Sequence, residues 1–483
     1  MNKRMVFHII GRILQVDSIL LLFPFITAII YGEAAQIKSY LLVSVLTFIL
    51  GTGLTLFIKP KSRVIYAKEG FAVVSLAWVA LAAIGAVPFV MTGEILSYVD
   101  AIFETVSGFT TTGSTILKDV EAMSHASLFW RSFTHWIGGM GFLVFVMAII
   151  PNISDRSMHL LKAEVPGPTV GKIVPRIKDT SKILYIIYAA LTLAEIIMLC
   201  AGKMPLFDSI LHSFGTAGTG GFGIKGDSIA YYSPYCQWVI AVFMLLFGVN
   251  FNLFYLLLIK RFFTIIKSSE LWCYISIITV STGVIVINTL NMYEKLSDCI
   301  RHSFFQVSAI ITTTGYMTYD FDLWPNLSKT ILLLLMFLGA CAGSTGGGLK
   351  ISRVMLLFKM IGREIKKLIH PRSVSVVKFE GKTVEEKTLS SVSSYFAIYI
   401  ISILLVFLLI SFEPFGMESN FSAAVSCFNN IGPGFDAVGP TLSFADYSVF
   451  SKLVLSAAML LGRLEIFPLI IAFSSFVHKR GKN

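Results

Sequence analysis

The run from Asp100 to Ser114 reads DAIFETVSGFTTTGS, an apolar half followed by threonine and glycine. It is too short and too rich in Thr, Ser and Gly to cross a bilayer, which takes about 20 apolar residues. Long apolar runs flank it, Val73–Val90 on one side and Phe133–Ile150 on the other. The same design returns three times: Asp208–Phe222 (DSILHSFGTAGTGGF), His302–Tyr316 (HSFFQVSAIITTTGY) and Phe421–Phe435 (FSAAVSCFNNIGPGF). Aligned on the last glycine of each, the turns are Thr110–Gly113, Gly218–Gly221, Thr312–Gly315 and Ile431–Gly434. Internal repetition of this length predicts four similar units around a common axis. In each unit a half-helix enters from outside and turns back.

The composition excludes a soluble fold. Hydrophobic residues make up 55% of the 483 and charged residues 14%, against about 25% charged in an ordinary soluble domain. Apolar runs recur along the chain, which predicts about ten crossings of a bilayer. The expected fold is an all-α polytopic membrane protein. Each of its four pseudo-symmetric repeats has a first helix, a re-entrant P-loop and a closing helix around one pore. First helices are expected near Phe71–Met91, Ile183–Leu199, Trp272–Asn291 and Leu389–Ser411, and closing helices near Phe129–Ile150, Pro234–Ile259, Leu327–Phe358 and Val449–Phe476. An N-terminal pair, Ile13–Ile30 and Tyr40–Ile58, reads as retained helices, because no small-residue cleavage pattern follows the first. The expected divisions are 1–69 for that hairpin, then repeats at 70–182, 183–270, 271–388 and 389–483, with cytoplasmic linkers closing the first and third.

Charge gives the orientation. Met1–Arg12, Lys59–Lys68, Arg156–Lys182, Lys260–Lys267, Lys350–Lys387 and Lys479–Lys482 hold 29 of the 39 Lys and Arg residues. The positive-inside rule makes these segments, and both termini, cytoplasmic. The net charge of +11 then needs no nucleic acid. Contact with anionic lipid or an acidic partner accounts for it.

Non-helical backbone at membrane depth is tolerated inside protein or beside a water-filled cavity. Four such turns on one axis meet both conditions, and rings of backbone carbonyls can replace a cation's hydration shell. Neither Asp nor Glu occurs in the turns, which favours a monovalent cation over Ca²⁺ or Mg²⁺. The candidate filter residues are Thr110, Thr111, Thr112, Gly113, Gly218, Thr219, Gly220, Gly221, Thr312, Thr313, Thr314, Gly315, Asn430, Ile431, Gly432, Pro433 and Gly434.

Two other features stand out. Gly339–Gly348 (GACAGSTGGG) interrupts the third closing helix, and each interior glycine costs a helix roughly 1 kcal/mol relative to alanine. It is not a nucleotide P-loop, since Leu349 follows Gly348 where that motif needs lysine. Close helix packing through small residues and a flexible loop across the pore both fit. The loop residues Gly343, Ser344, Thr345, Gly346, Gly347 and Gly348 are the candidate gate. Arg463 is read as the only basic residue deep within an apolar closing helix. An arginine at depth must face protein or water, so it is neutralised by a carboxylate such as Glu465, faces the cation path, or both.

No catalytic constellation appears. The six cysteines form no CxxC pair, the histidines no HExxH spacing, and no GxSxG elbow occurs. The chain is expected to be no enzyme and to carry no cofactor of its own.

The stretches Phe103–Thr115 (FETVSGFTTTGST), Ser213–Phe222 (SFGTAGTGGF), Thr312–Gly315 (TTTG), Asn429–Gly434 (NNIGPG), Gly343–Lys350 (GSTGGGLK) and Gly462–Glu465 (GRLE) resemble the Trk/Ktr/HKT superfamily of potassium transporters. The likeness is strongest to the bacterial TrkH/TrkG membrane subunit, whose extra N-terminal helix pair is also matched. The resemblance implies potassium uptake across the bacterial inner membrane. It implies filter glycines at Gly113, Gly221, Gly315 and Gly434, a gate loop at the glycine run, and the pore-side arginine at Arg463. It further implies a homodimer with one pore per subunit. The implied cytosolic partner is a TrkA-like regulatory subunit, which would bind NAD or ATP/ADP, while potassium itself is the substrate. Whether flux is channel-like or coupled to protons or sodium stays open, as does a less selective cation channel.

Overall fold

The computed structural model describes residues 2–60, 67–141, 177–373, 375–464 and 466. Their regular secondary structure is helical apart from two pairs of two-residue strands. The chain is an all-α polytopic membrane protein. Six described helices are long and apolar enough to span: Lys3–Tyr31, Ala34–Phe57, Glu69–Thr92, Lys182–Ala201, Ser269–Met292 and Glu386–Ile410. A bent pair, Pro234–Phe247 and Phe251–Leu258, makes a seventh if counted as one span.

The count falls short of about ten because of the closing helices. The second bends by 91° at residues 248–250. The third stops at Met336 and resumes only at Ile351. The first and fourth are described as His125–Gly139 and Val449–Arg463. Their expected remainders lie mostly outside the described residues, as do Arg156–Lys182 for the greater part and Lys479–Lys482. The N-terminal expectation also needs correction. The first helix starts ten residues before Ile13: it begins at Lys3, within the basic segment Met1–Arg12, and runs with one interruption, at Leu21, to Tyr31.

Each of the four spanning helices from Ala67–Thr92 onward is followed by a short buried one. These are Tyr98–Phe109, Leu206–Gly218, Leu296–Ile311 and Met417–Asn429. All four carry an acid in the first turn: Asp100, Asp208, Asp298 and Glu418. A carboxylate there complements the positive end of the helix dipole, and the negative C-terminal ends point to the four turns. The glycine-threonine segments therefore begin where short helices stop, deep in the protein.

Candidate functional site

The four short helices end alike. Just past each C-terminus one residue is left-handed: Thr111 (φ 56°), Thr219 (φ 55°), Thr313 (φ 58°) and Asn430 (φ 57°). The amide after it reaches back five residues, Thr112 to Ser107, Gly220 to Gly215, Thr314 to Ala309 (2.8 Å each) and Ile431 to Ser426 (3.0 Å). This is the closure of a Schellman motif, usually made by glycine or asparagine. A β-branched threonine with positive φ is an outlier, and such strain, of order 1–3 kcal/mol, persists only where the surroundings enforce it. Two residues after each left-handed residue comes a glycine, also with positive φ: Gly113 (82°), Gly221 (74°), Gly315 (80°) and Gly432 (107°).

These glycines close a ring. A Cβ on Gly113 would overlap the Gly220 carbonyl oxygen, one on Gly221 the Thr314 oxygen, and one on Gly315 the Ile431 oxygen. One on Gly432 would come to 3.0 Å from the Thr112 oxygen, returning to the first turn. Each carbonyl belongs to the residue just before the next turn's glycine. All four glycines line one cavity of about 520 Å³. On its rim Lys118 pairs with Asp446 and Lys225 with Glu121, both at 2.8 Å or less. The hydrogen bond from Lys225 holds the exposed Glu121 carboxyl below its usual range.

The ring corrects the register of the fourth turn. Gly432, not Gly434, is equivalent to Gly113, Gly221 and Gly315, so the turn is Asn429–Gly432. Gly434 donates its N–H to the Val438 carbonyl at 2.7 Å and packs on Ser422. Pro433, which has no N–H to give, sits between ring and exit. Asn429, Asn430 and Ile431 thus stand where the first and third turns have threonine.

The threonine side chains serve the backbone. Thr110 Oγ1 donates to the Val106 carbonyl (2.6 Å) and meets Thr112 Oγ1 (2.8 Å). Thr312 repeats both contacts with Ser308 and Thr314. Thr219 donates to the Gly218 carbonyl. In the fourth turn Asn430 Nδ2 reaches Thr112 Oγ1 at 2.9 Å and the Met459 carbonyl at 3.0 Å.

The glycine run of the third closing helix is a loop. A parallel pair of two-residue strands, Leu338–Gly339 with Leu349–Lys350, pins its neck. It rests in the bend of the second closing helix. The Cys341 amide donates to Gly248, Phe251 to the Gly343 carbonyl, and Thr345 Oγ1 to Phe247. Its tip touches two turns. The Gly347 amide donates to Thr313 Oγ1 at 2.7 Å, and Gly347 packs on the Asn429 carbonyl. Arg463 joins this loop to the first closing helix, donating to Thr345 O (2.8 Å), Gly138 O (2.6 Å) and Gly139 O (2.8 Å). Carbonyls therefore take up its guanidinium; Glu465 lies outside the described residues.

Several contributors were not read from the sequence. Arg463 is not the only basic residue deep in a closing helix. Arg131 is 3% exposed and paired at 2.8 Å with the fully buried Glu104, and the buried Lys452 pairs with Asp100. Lys350, counted among the cytoplasmic basic residues, is buried and donates Nζ to the Gly346 carbonyl. Glu270 accepts the Ala342 amide at 2.7 Å. Lys350 lies two residues past Gly348 and could have been flagged; Glu270 and Glu104 carried no local signal. No cluster of His, Cys, Asp or Glu suited to a metal occurs among the described residues.

Residues 37–480 match the family of TrkH cation transport proteins. The chain belongs to that family. It is 36% identical over 483 residues to the Trk system potassium uptake protein TrkH of Salmonella typhimurium, covering 98% of this chain and 99% of that one. It is 34% identical to the TrkG protein of the same system in Escherichia coli, covering 98% of both. The solved crystal structure of the potassium transporter TrkH from Vibrio parahaemolyticus is similar with a TM-score of 0.88 and 31% identity, covering 99% of each chain. The family is one of transport proteins, not enzymes.

Proposed function

We propose that the chain carries potassium across the bacterial inner membrane through one central pore. The ring of four glycine–carbonyl contacts supports this reading: the Thr112, Gly220, Thr314 and Ile431 oxygens each lie against a glycine of the neighbouring turn, and those four glycines line one cavity. The hydroxyls of Thr110, Thr112, Thr219, Thr312 and Thr314 are hydrogen-bonded within their own turns, which leaves backbone oxygens to replace a cation's water. Relatives named as potassium transporters give the ion. The four units are M1–P-loop–M2 repeats at 70–182, 183–270, 271–388 and 389–483, after a two-helix hairpin at 1–69.

The loop at Gly343–Gly348 acts as the gate, beneath the third and fourth turns. Arg463 holds it in place. On the inner side, the basic stretch Lys350–Lys387 docks a cytosolic TrkA-like regulatory subunit, which carries the nucleotide, and the membrane subunit pairs as a homodimer. Lys350 and Arg353 are buried, so the docking charge begins at Lys359.

Serine at Gly113 tests the filter. The glycine has φ 82° and its Cα faces the Gly220 carbonyl with no room for a Cβ. Gly113→Ser is expected to lower the potassium-to-sodium permeability ratio more than it lowers the yield of folded protein. Bi-ionic potentials in planar bilayers measure that ratio, and an unchanged ratio would remove Gly113 from the filter.

A further inference from the structure

We propose that Arg131, paired with Glu104, is the positioning residue that fixes the first turn against the second and so sets which monovalent cation the ring accepts. This rests on reading the four turns as the filter. Arg131 Nε donates to Glu104 Oε1 at 2.8 Å, with the side chains 3% and 0% exposed. Glu104 also accepts from Thr115 Oγ1 (2.9 Å) and the Ile116 amide (3.0 Å), both on the strand leaving the first turn. The other side of the guanidinium serves the second turn. Its Nη1 donates to the Gly223 carbonyl at 3.3 Å, and its plane lies 4.0 Å from the centre of the Phe222 ring. One side chain therefore grips both strands within three residues of Gly113 and Gly221.

The neighbouring seams are built differently. Tyr316 reaches the His212 carbonyl at 3.2 Å between the second and third turns. The Asp436 amide donates to Asp322 at 3.1 Å between the third and fourth. Ser114 reaches the Gly432 carbonyl at 2.9 Å, and the Phe444 amide reaches Thr115 O at 2.8 Å, between the fourth and first. An Arg–carboxylate pair joins adjacent turns only at the first seam among the described residues. Its planar fork fixes direction as well as distance, which a lysine ammonium does not. Discrimination between cations of like charge depends on sub-ångström spacing of carbonyls or on their field, and this strut constrains both for the Gly113 and Gly221 contacts.

A merely structural pair would change the amount of folded protein and leave the ion ratio alone. Arg131→Lys keeps the charge and loses the fork. The double variant Glu104→Gln with Arg131→Gln leaves no buried charge and is the comparison of record should Arg131→Lys fail to fold. In full-length protein matched for folded amount by size exclusion and thermal melting, bi-ionic recordings are expected to show the potassium-to-sodium ratio lowered by about tenfold, the scale of one misplaced discriminating contact. A wild-type ratio in the folded variants overturns the proposal. Gly113→Ser run in parallel separates the two readings. If only Gly113→Ser moves the ratio, the strut is structural and the filter stands; if neither does, the filter reading itself falls.

Discussion

Replacing Arg463 with alanine, or deleting Gly346–Gly348, is expected to raise basal rubidium uptake into proteoliposomes and to weaken its dependence on the regulatory subunit. A carbonyl filter selects ions without stopping them, so closure needs a second element. The loop is held by its neck strands, by the bend at Phe247–Phe251 and by Arg463. Arg463 ties it to Gly138 and Gly139 of another closing helix. Hydrogen bonds to a charged group contribute about 1.5–3 kcal/mol each. Losing one such bond from the closed state shifts a two-state equilibrium by about tenfold or more. The deletion removes the contact of Gly347 with Thr313 as well, so it should give the larger rise. The potassium-to-sodium ratio should stay near wild type in the arginine variant, whose ring is untouched. Basal flux and regulation at wild-type levels in both would place the gate elsewhere.

Gly432→Ala is expected to collapse discrimination between potassium and sodium, whereas Gly434→Ala is expected to cost stability with the ratio retained. Gly432 has φ 107°, a region that L side chains rarely adopt. A Cβ there would press on the Thr112 carbonyl at 3.0 Å, one of the four in the ring. At Gly434 a Cβ would instead meet Ser422 Oγ and Val438, at 2.8 and 2.7 Å. Those are contacts within the fourth unit, and crowding them costs typically 1–3 kcal/mol. The opposite pattern of ratios would restore the register obtained by aligning last glycines.

That register marks the limit of what the sequence disclosed. The four short helices and their turns were legible because the repeat and the TTTG runs are local patterns. The glycine loop was legible too, since such a run cannot continue as helix. The fourth turn misled because Gly432-Pro433-Gly434 offers two glycines. The structural signature lies in Asn430, an ordinary left-handed cap, rather than in the final glycine. The break at residues 248–250 was hidden because Gly248-Val249-Asn250 sits within a continuous apolar run, and the loop that packs into the bend comes from another unit, about 90 residues on. Arg131 and Glu104 were missed because 27 residues separate them, and pairing across that gap exists only once the unit folds back.

On the proposed function, cations sit within the ring of the Thr112, Gly220, Thr314 and Ile431 carbonyls. Anomalous diffraction from crystals of the full-length protein grown in rubidium tests it most directly. Anomalous peaks are expected on the axis at the level of those four oxygens, reduced when sodium replaces rubidium. Peaks confined to other parts of the protein, with the ring empty in crystals of a preparation that transports rubidium, would contradict it.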